Sequence, residues 1–148
     1  MFIVSVATVT DIPALIPLLN YLFSQEAEFM PDVNKQTAGL QAIIAQPDVG
    51  VILVARDKEK LVGMVVLLFT ISTAQGGVVA ILEDMVVDTN YQGAGIGSLL
   101  MTQAIKFSRS KGVSRITLLT DANNDPAIHF YEKHGFVKSP MIPLRRFI

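Results

Sequence analysis

Two stretches of this chain hold residue types and spacings that could do chemistry. The first is residues 83–100, EDMVVDTNYQGAGIGSLL. Met85, Val86 and Val87 read as the end of a strand, Asp88-Thr89-Asn90 as a break made of turn formers, and Gln92-Gly93-Ala94-Gly95-Ile96-Gly97-Ser98 as a glycine-rich turn. A helix should follow, because Ile96, Leu99, Leu100, Ala104 and Phe107 fall on one face at helical spacing. Strand, glycine turn and helix start together collect unpaired backbone N–H groups at one point. The helix dipole favours an anion there, and glycines let the backbone approach a bulky pyrophosphate. The spacing is not that of a dinucleotide fingerprint, since Ser98 stands where the third glycine of Gly93-x-Gly95-x-x-Gly would be. It is not a P-loop either, because no lysine lies between Tyr91 and Lys106. Glycines placed for turn conformation alone would give the same spacing.

The second stretch is residues 124–136, running Asn124-Asp-Pro-Ala127-Ile-His-Phe-Tyr131-Glu-Lys-His-Gly135-Phe136. Its hydroxyl at Tyr131 could give or take a proton. Around the two stretches stand carboxylates. Strand alternation places Glu83 on one face with Ile81, Met85 and Val87, where it suits a general base or an ammonium-binding group. The rival role for Glu83 is a sheet-edge carboxylate paired with a lysine. Asp84 should face the other way and be structural. Glu26, Glu28 and Asp32 form an acidic segment, and Asp121 lies just past a strand. His129 and His134 read as solvated helix residues, and two histidines alone make no metal site, so no metal is expected.

The elements that must position these groups are legible from pattern. Residues 2–7 read as a strand, and Thr10-Asp11 as the cap of a first helix buried through Ile12, Leu15, Leu18, Leu19, Leu22 and Phe23. Pro17 should kink that helix or delay its start. A second helix is expected over 35–45. Residues 49–56 and 61–70 form a hairpin about the charged turn 57–60, and residues 78–87 return as the strand that enters the glycine loop. The next helix ends at Lys111-Gly112, and 115–120 is a strand. Strand, helix and strand of this length imply a parallel pair with a right-handed crossover. Asp125 should cap the last helix with Pro126 at its first position, and Gly135 should close it. Residues 136–137 and 143–148 are expected as short edge strands.

Composition narrows the class. The 148 residues fit one domain, and no repeat or linker divides them. Although 51% of residues are hydrophobic and the mean hydropathy is +0.47, no apolar run reaches the length of a membrane span, so no membrane partner is expected. A net charge of −1 gives no electrostatic case for nucleic acid. The segment MFIVSVATVTD lacks a basic region and a long apolar stretch, so no secretory leader is expected and a cytoplasmic location is the default. Cysteine is absent, which excludes disulfides, thiolate metal sites and an acetyl-cysteine intermediate. The apolar run Met141-Ile142-Pro143-Leu144 with Phe147-Ile148 suggests a homodimer formed through the last strands.

Gln92-x-x-Gly95-x-Gly97, followed by Asn124-x-x-Ala127-x-x-x-Tyr131-x-x-x-Gly135-Phe136, resembles the paired signature of the GCN5-related N-acetyltransferases, the GNAT superfamily. The resemblance implies an α/β fold: one twisted, mixed, mostly antiparallel sheet with a central parallel pair and helices on both faces. It also implies acetyl transfer from acetyl-CoA to the amine of a small molecule or peptide. The backbones of Met85 and Val87, flanking Val86, should then bond the pantetheine arm. The amides of Gly93, Ala94, Gly95, Ile96, Gly97 and Ser98 should receive the pyrophosphate, with Gln92 where many relatives carry arginine. Asn124 should contact the pantetheine, and Tyr131 should protonate the sulfur. Relatives build part of their acceptor site after the first helix, which would bring in Glu26 and Glu28, unless that acidic segment is only a solvated loop. Asp121, by its place just past a strand, is a looser candidate for the substrate pocket. A non-catalytic acyl-CoA sensor would keep residues 92–98 without needing Tyr131 or Glu83. A nucleotide-binding interaction module is the other alternative.

Overall fold

The computed structural model of the chain describes residues 1–27 and 30–148. The β-rich runs become β1 (Phe2–Val6), β2 (Gly50–Asp57), β3 (Lys60–Ser72), β4 (Gly77–Val87) and β5 (Ile116–Leu118). The helices are α1 (Ile12–Gln25), α2 (Val33–Ile44), α3 (Ile96–Ser110) and α4 (Asp125–Lys133). The sheet runs β1-β2-β3-β4-β5; its first four strands are antiparallel, and β4 and β5 form the parallel pair that α3 connects. Among the described residues no helix is long and apolar enough to cross a membrane.

The near-continuous apolar character of β2 and β3 follows from cover on both faces. Ile52, Val54, Met64 and Val66 pack under α1 and α2 against Leu15, Leu19 and Leu40. The alternate residues Leu53, Val65 and Leu67 pack under α3 against Ile96, Leu100 and Met101. Pro17 lies inside α1 without delaying it, because the helix starts upstream at Ile12. The bond that proline forfeits would have gone to Pro13, close to the helix start. α2 begins two residues earlier than its periodicity suggests, since the Asp32 carboxylate accepts from the Lys35 N–H at 3.1 Å.

One irregularity in β4 governs the site. Val65 pairs with Met85 but Leu67 pairs with Leu82, so β4 carries one residue more than β3 across this step. The bulge falls at Glu83-Asp84 and breaks the alternation on which their expected faces rested. Leu82 and Met85 both join the α3-side core, while Val86 joins the core beneath α1 and α2. Glu83 therefore does not share a face with Met85 and Val87.

The expected edge strands over 136–137 and 143–148 do not form. Phe136 still packs on the α3-side core, but Val137 is 88% exposed, Leu144 90% and Phe147 90%. Pro140 and Pro143 remove ladder donors, and no glycine follows Gly135 to turn the chain back. With no strand in that segment, β5 is the last strand of the sheet among the described residues.

Candidate active site

The glycine loop is held from both sides before it reaches the helix. Asp88 accepts from the Asn90 N–H at 2.9 Å, a local turn that starts the loop. Tyr91 donates its hydroxyl to Asp57 at 3.1 Å, and Lys60 Nζ sits 4.9 Å from the Tyr91 ring centre while pairing with Asp88 at 3.5 Å. These contacts tie the loop to the β2–β3 turn. Gly93 and Gly95 then take φ of 85° and 84°, left-handed values that only glycine accepts readily. Gly95 is the N-cap of α3, and no side chain among the described residues caps that helix.

The result is a cradle of backbone amides, of a kind that suits an anion. The first helical bond of α3 runs from the Leu99 N–H to the Gly95 carbonyl at 3.0 Å. The N–H groups of Gly95, Ile96, Gly97 and Ser98 have no hydrogen-bond acceptor among the described residues. They border an open cleft of about 270 Å³ walled by Val87 and Phe130. A Cβ at Gly97 would come into contact with the Phe130 ring at 3.4 Å and narrow the cleft. Another cleft of about 260 Å³, bounded by Pro47, Phe69, Ile71 and Lys111, lies at the far end of the sheet from the glycine loop.

Next to the cradle the sheet is split. β4 and β5 pair only from Ala80–Ile116 to Leu82–Leu118, so from Glu83 onward β4 has no strand on that side among the described residues. The Asp88 N–H donates to Val62 on the β3 side at 2.8 Å. Alternation therefore turns the N–H groups of Val87 and Met85 to the open side.

Titratable groups gather across the split. Burial, then the neighbouring carboxyls of Glu83 and Glu26, push Asp84 up from 3.8 to about 7. No hydrogen bond or ion pair joins Asp84 to another described residue. Glu26, just past the end of α1, is raised by burial and then by Asp121 and Glu83, with Arg145 opposing. Asp121 in turn accepts from the Ala27 N–H at 3.4 Å. On α4, burial and then Glu26 raise the Tyr131 hydroxyl, which keeps it protonated near neutral pH. The ring is fixed edge-on by Phe130 at 5.4 Å and Phe136 at 5.8 Å. Glu26 thus acts electrostatically on both Asp84 on β4 and Tyr131 on α4.

The structure therefore brings together Tyr131, Glu83, Glu26 and Asp121 at the split, with Met85 beside it and Val87, Gly93 and residues 95–98 along the cradle. Val86, by contrast, is buried in the core beneath α1 and α2, and the Ala94 N–H donates to the Tyr91 carbonyl at 3.4 Å. Glu28 lies outside the described residues. Gln92 lines the cleft, with its amide near the Val87 carbonyl at 3.4 Å and the Tyr21 hydroxyl at 3.5 Å. Asn124, not Asp125, caps α4, accepting from the Ala127 N–H at 3.3 Å. Asp84 is the group that sequence reasoning set aside. Its trace was the polar pair Glu83-Asp84 interrupting an otherwise apolar strand, which is where a bulge can sit.

These features define an α/β protein in which an anion cradle adjoins a split in the sheet bordered by carboxyls and one tyrosine hydroxyl. The chain belongs to the GNAT acetyltransferase family, whose model matches residues 18–136. Over 78 residues it is 37% identical to the glucosamine 6-phosphate N-acetyltransferase of Trypanosoma brucei brucei, covering 52% of this chain and 51% of that protein. Over 55 residues it is 40% identical to the streptothricin acetyltransferase of Streptomyces lavendulae, covering 37% of this chain and 29% of that one. A putative acetyltransferase from Agrobacterium tumefaciens is 28% identical and superposes with a TM-score of 0.81 over 98% of this chain and 99% of its own. The chain spans about half or less of the length of the curated relatives it matches.

Proposed function

We propose that the protein transfers an acetyl group from acetyl-CoA directly to a cationic primary amine. The observation that carries this reading is the row of unpartnered amides from Gly95 to Ser98, ending beside a split bordered by Asp84 and Tyr131. Acetyl-CoA supplies a thioester carbonyl and a thiolate leaving group. The cradle amides hold its pyrophosphate, and the open-side N–H groups of Met85 and Val87 hold the pantetheine arm and steady the oxyanion. Asp84 takes a proton from the bound ammonium, and the neutral amine so formed attacks the thioester carbonyl; the second N–H proton, shed once the C–N bond has formed, replaces the one that Tyr131 gives up. Tyr131 gives a proton to the departing sulfur as the C–S bond breaks. A carboxyl near 7 is divided between its two forms at neutral pH, which is what a general base needs. Glu83, exposed on the same bulge, and Glu26 attract the ammonium form of the acceptor. No cysteine is present to carry an acetyl-enzyme intermediate, so transfer is direct.

The carboxyl set also selects the acceptor. Glu26, Glu83, Asp84 and Asp121 would repel an acceptor that carries a phosphate, such as glucosamine 6-phosphate, and favour a polyamine, an amino sugar without phosphate, or a lysine side chain. A thermal unfolding series separates this reading from a nucleotide-binding module. Acetyl-CoA and CoA at about 100 times their Kd should stabilise the fold by about 2.7 kcal/mol, raising Tm by several degrees. ATP and NAD should leave Tm unchanged. A shift with ATP or NAD, and none with acetyl-CoA, would reject the proposal.

A further inference from the structure

The cradle has a shortage of positive charge, because among the described residues no lysine or arginine lines the cleft and Gln92, which does line it, is neutral. A pyrophosphate held there would depend on the helix dipole and amides alone, unless another group reaches the rim. His134 does. It follows the last turn of α4, and its Nε2 lies 3.1 Å from the Ser98 hydroxyl, in the first turn of α3. We infer that His134 is a coenzyme-binding residue that closes the rim of the cradle and, with Ser98, donates hydrogen bonds to the pyrophosphate; this rests on the acetyl-CoA reading above.

Three observations support a ligand role over a merely structural one. The end of α4 does not need the imidazole, since backbone bonds from the His134 N–H to Tyr131 and from the Gly135 N–H to Glu132, both 3.0 Å, already close it. The ring is placed by Phe130, whose centre lies 4.8 Å away and which also walls the cleft. Ser98 is exposed and its N–H is one of the unpartnered amides, so an anion binding there meets the Ser98 amide and hydroxyl together. His129, one turn earlier on α4 and exposed, has no such neighbour among the described residues and serves as the control.

Calorimetric titration of CoA, dephospho-CoA and pantetheine into wild type, His134→Ala, His134→Phe and His129→Ala tests the inference. His134→Phe preserves a ring against Phe130 while removing the donor. Both His134 variants should bind CoA and dephospho-CoA about 10-fold more weakly, the scale of one charge-assisted hydrogen bond. Pantetheine affinity and the His129→Ala protein should be unchanged. Unaltered CoA affinity in His134→Phe would overturn the inference. So would a loss seen with CoA but not dephospho-CoA, which would move the contact to the 3′-phosphate, or an equal loss with pantetheine, which would mark a disturbed fold. Failure of the wild type to bind CoA at all would instead overturn the acetyl-CoA reading, and this one with it.

Discussion

Tyr131→Phe should lower kcat by about 10²–10⁴-fold, the range of a positioned general acid. The KM for acetyl-CoA should change little, because the hydroxyl matters mostly as the sulfur departs. Loss of the hydroxyl leaves the ring between Phe130 and Phe136, so the fold should keep its Tm. Steady-state kinetics with thiol detection reads both quantities. Full activity in the phenylalanine variant would show that Tyr131 is a packed core residue with a wet hydroxyl. The family resemblance would then extend to cofactor binding alone, as in a non-catalytic sensor.

Asp84→Asn should produce opposite effects on activity and stability. Removing the base should lower kcat/KM by about 10²–10³-fold at pH 7. The stability effect follows from the direction of the shift. The folded protein holds the Asp84 proton up to about 7, whereas the unfolded chain releases it near 3.8. The contribution of this group to stability is therefore complete below pH 4 and is lost as the pH rises through 7. Asparagine has no charge to bury, so the variant should be more stable than wild type at pH 8, by roughly 1–3 kcal/mol, and equal to it at pH 4. Denaturant unfolding at the two pH values measures this. A stability gain with no loss of activity would return the base to Glu83, whose exchange for glutamine would then remove the acid limb of the rate profile.

The fold was legible because its apolar patterns are strong and its breaks are sharp. Ile96, Leu100 and Ala104 mark the buried face of α3 in the sequence and form it in the structure. The turn residues at 57–60 and 88–90 likewise fall where the strands end. Two motifs in the right order, on a strand–loop–helix and on a second helix, carried the family. What pattern could not reach was a one-residue departure from it. The bulge at Glu83-Asp84 takes Glu83 off the face of Met85 and Val87, and an alternation argument has no way to register the extra residue. The exchange of Asp125 for Asn124 as the cap of α4 is a similar one-residue slip, decided by which side chain reaches the Ala127 N–H. The last segment reads as strand from its apolar side chains, but an apolar residue needs a partner surface to become one. Pro140 and Pro143 deny it a ladder within this chain.

Release of CoA thiol from acetyl-CoA, followed with a panel of amines and with no amine, is the direct measurement of the central claim. Spermidine, an aminoglycoside and a lysine peptide should be compared with glucosamine 6-phosphate. The account predicts amine-dependent thiol release with at least one cationic acceptor, with the phosphorylated sugar far behind, and an acetylated amine as the product. Thiol release that no amine accelerates, from a protein that nevertheless binds acetyl-CoA, would contradict it.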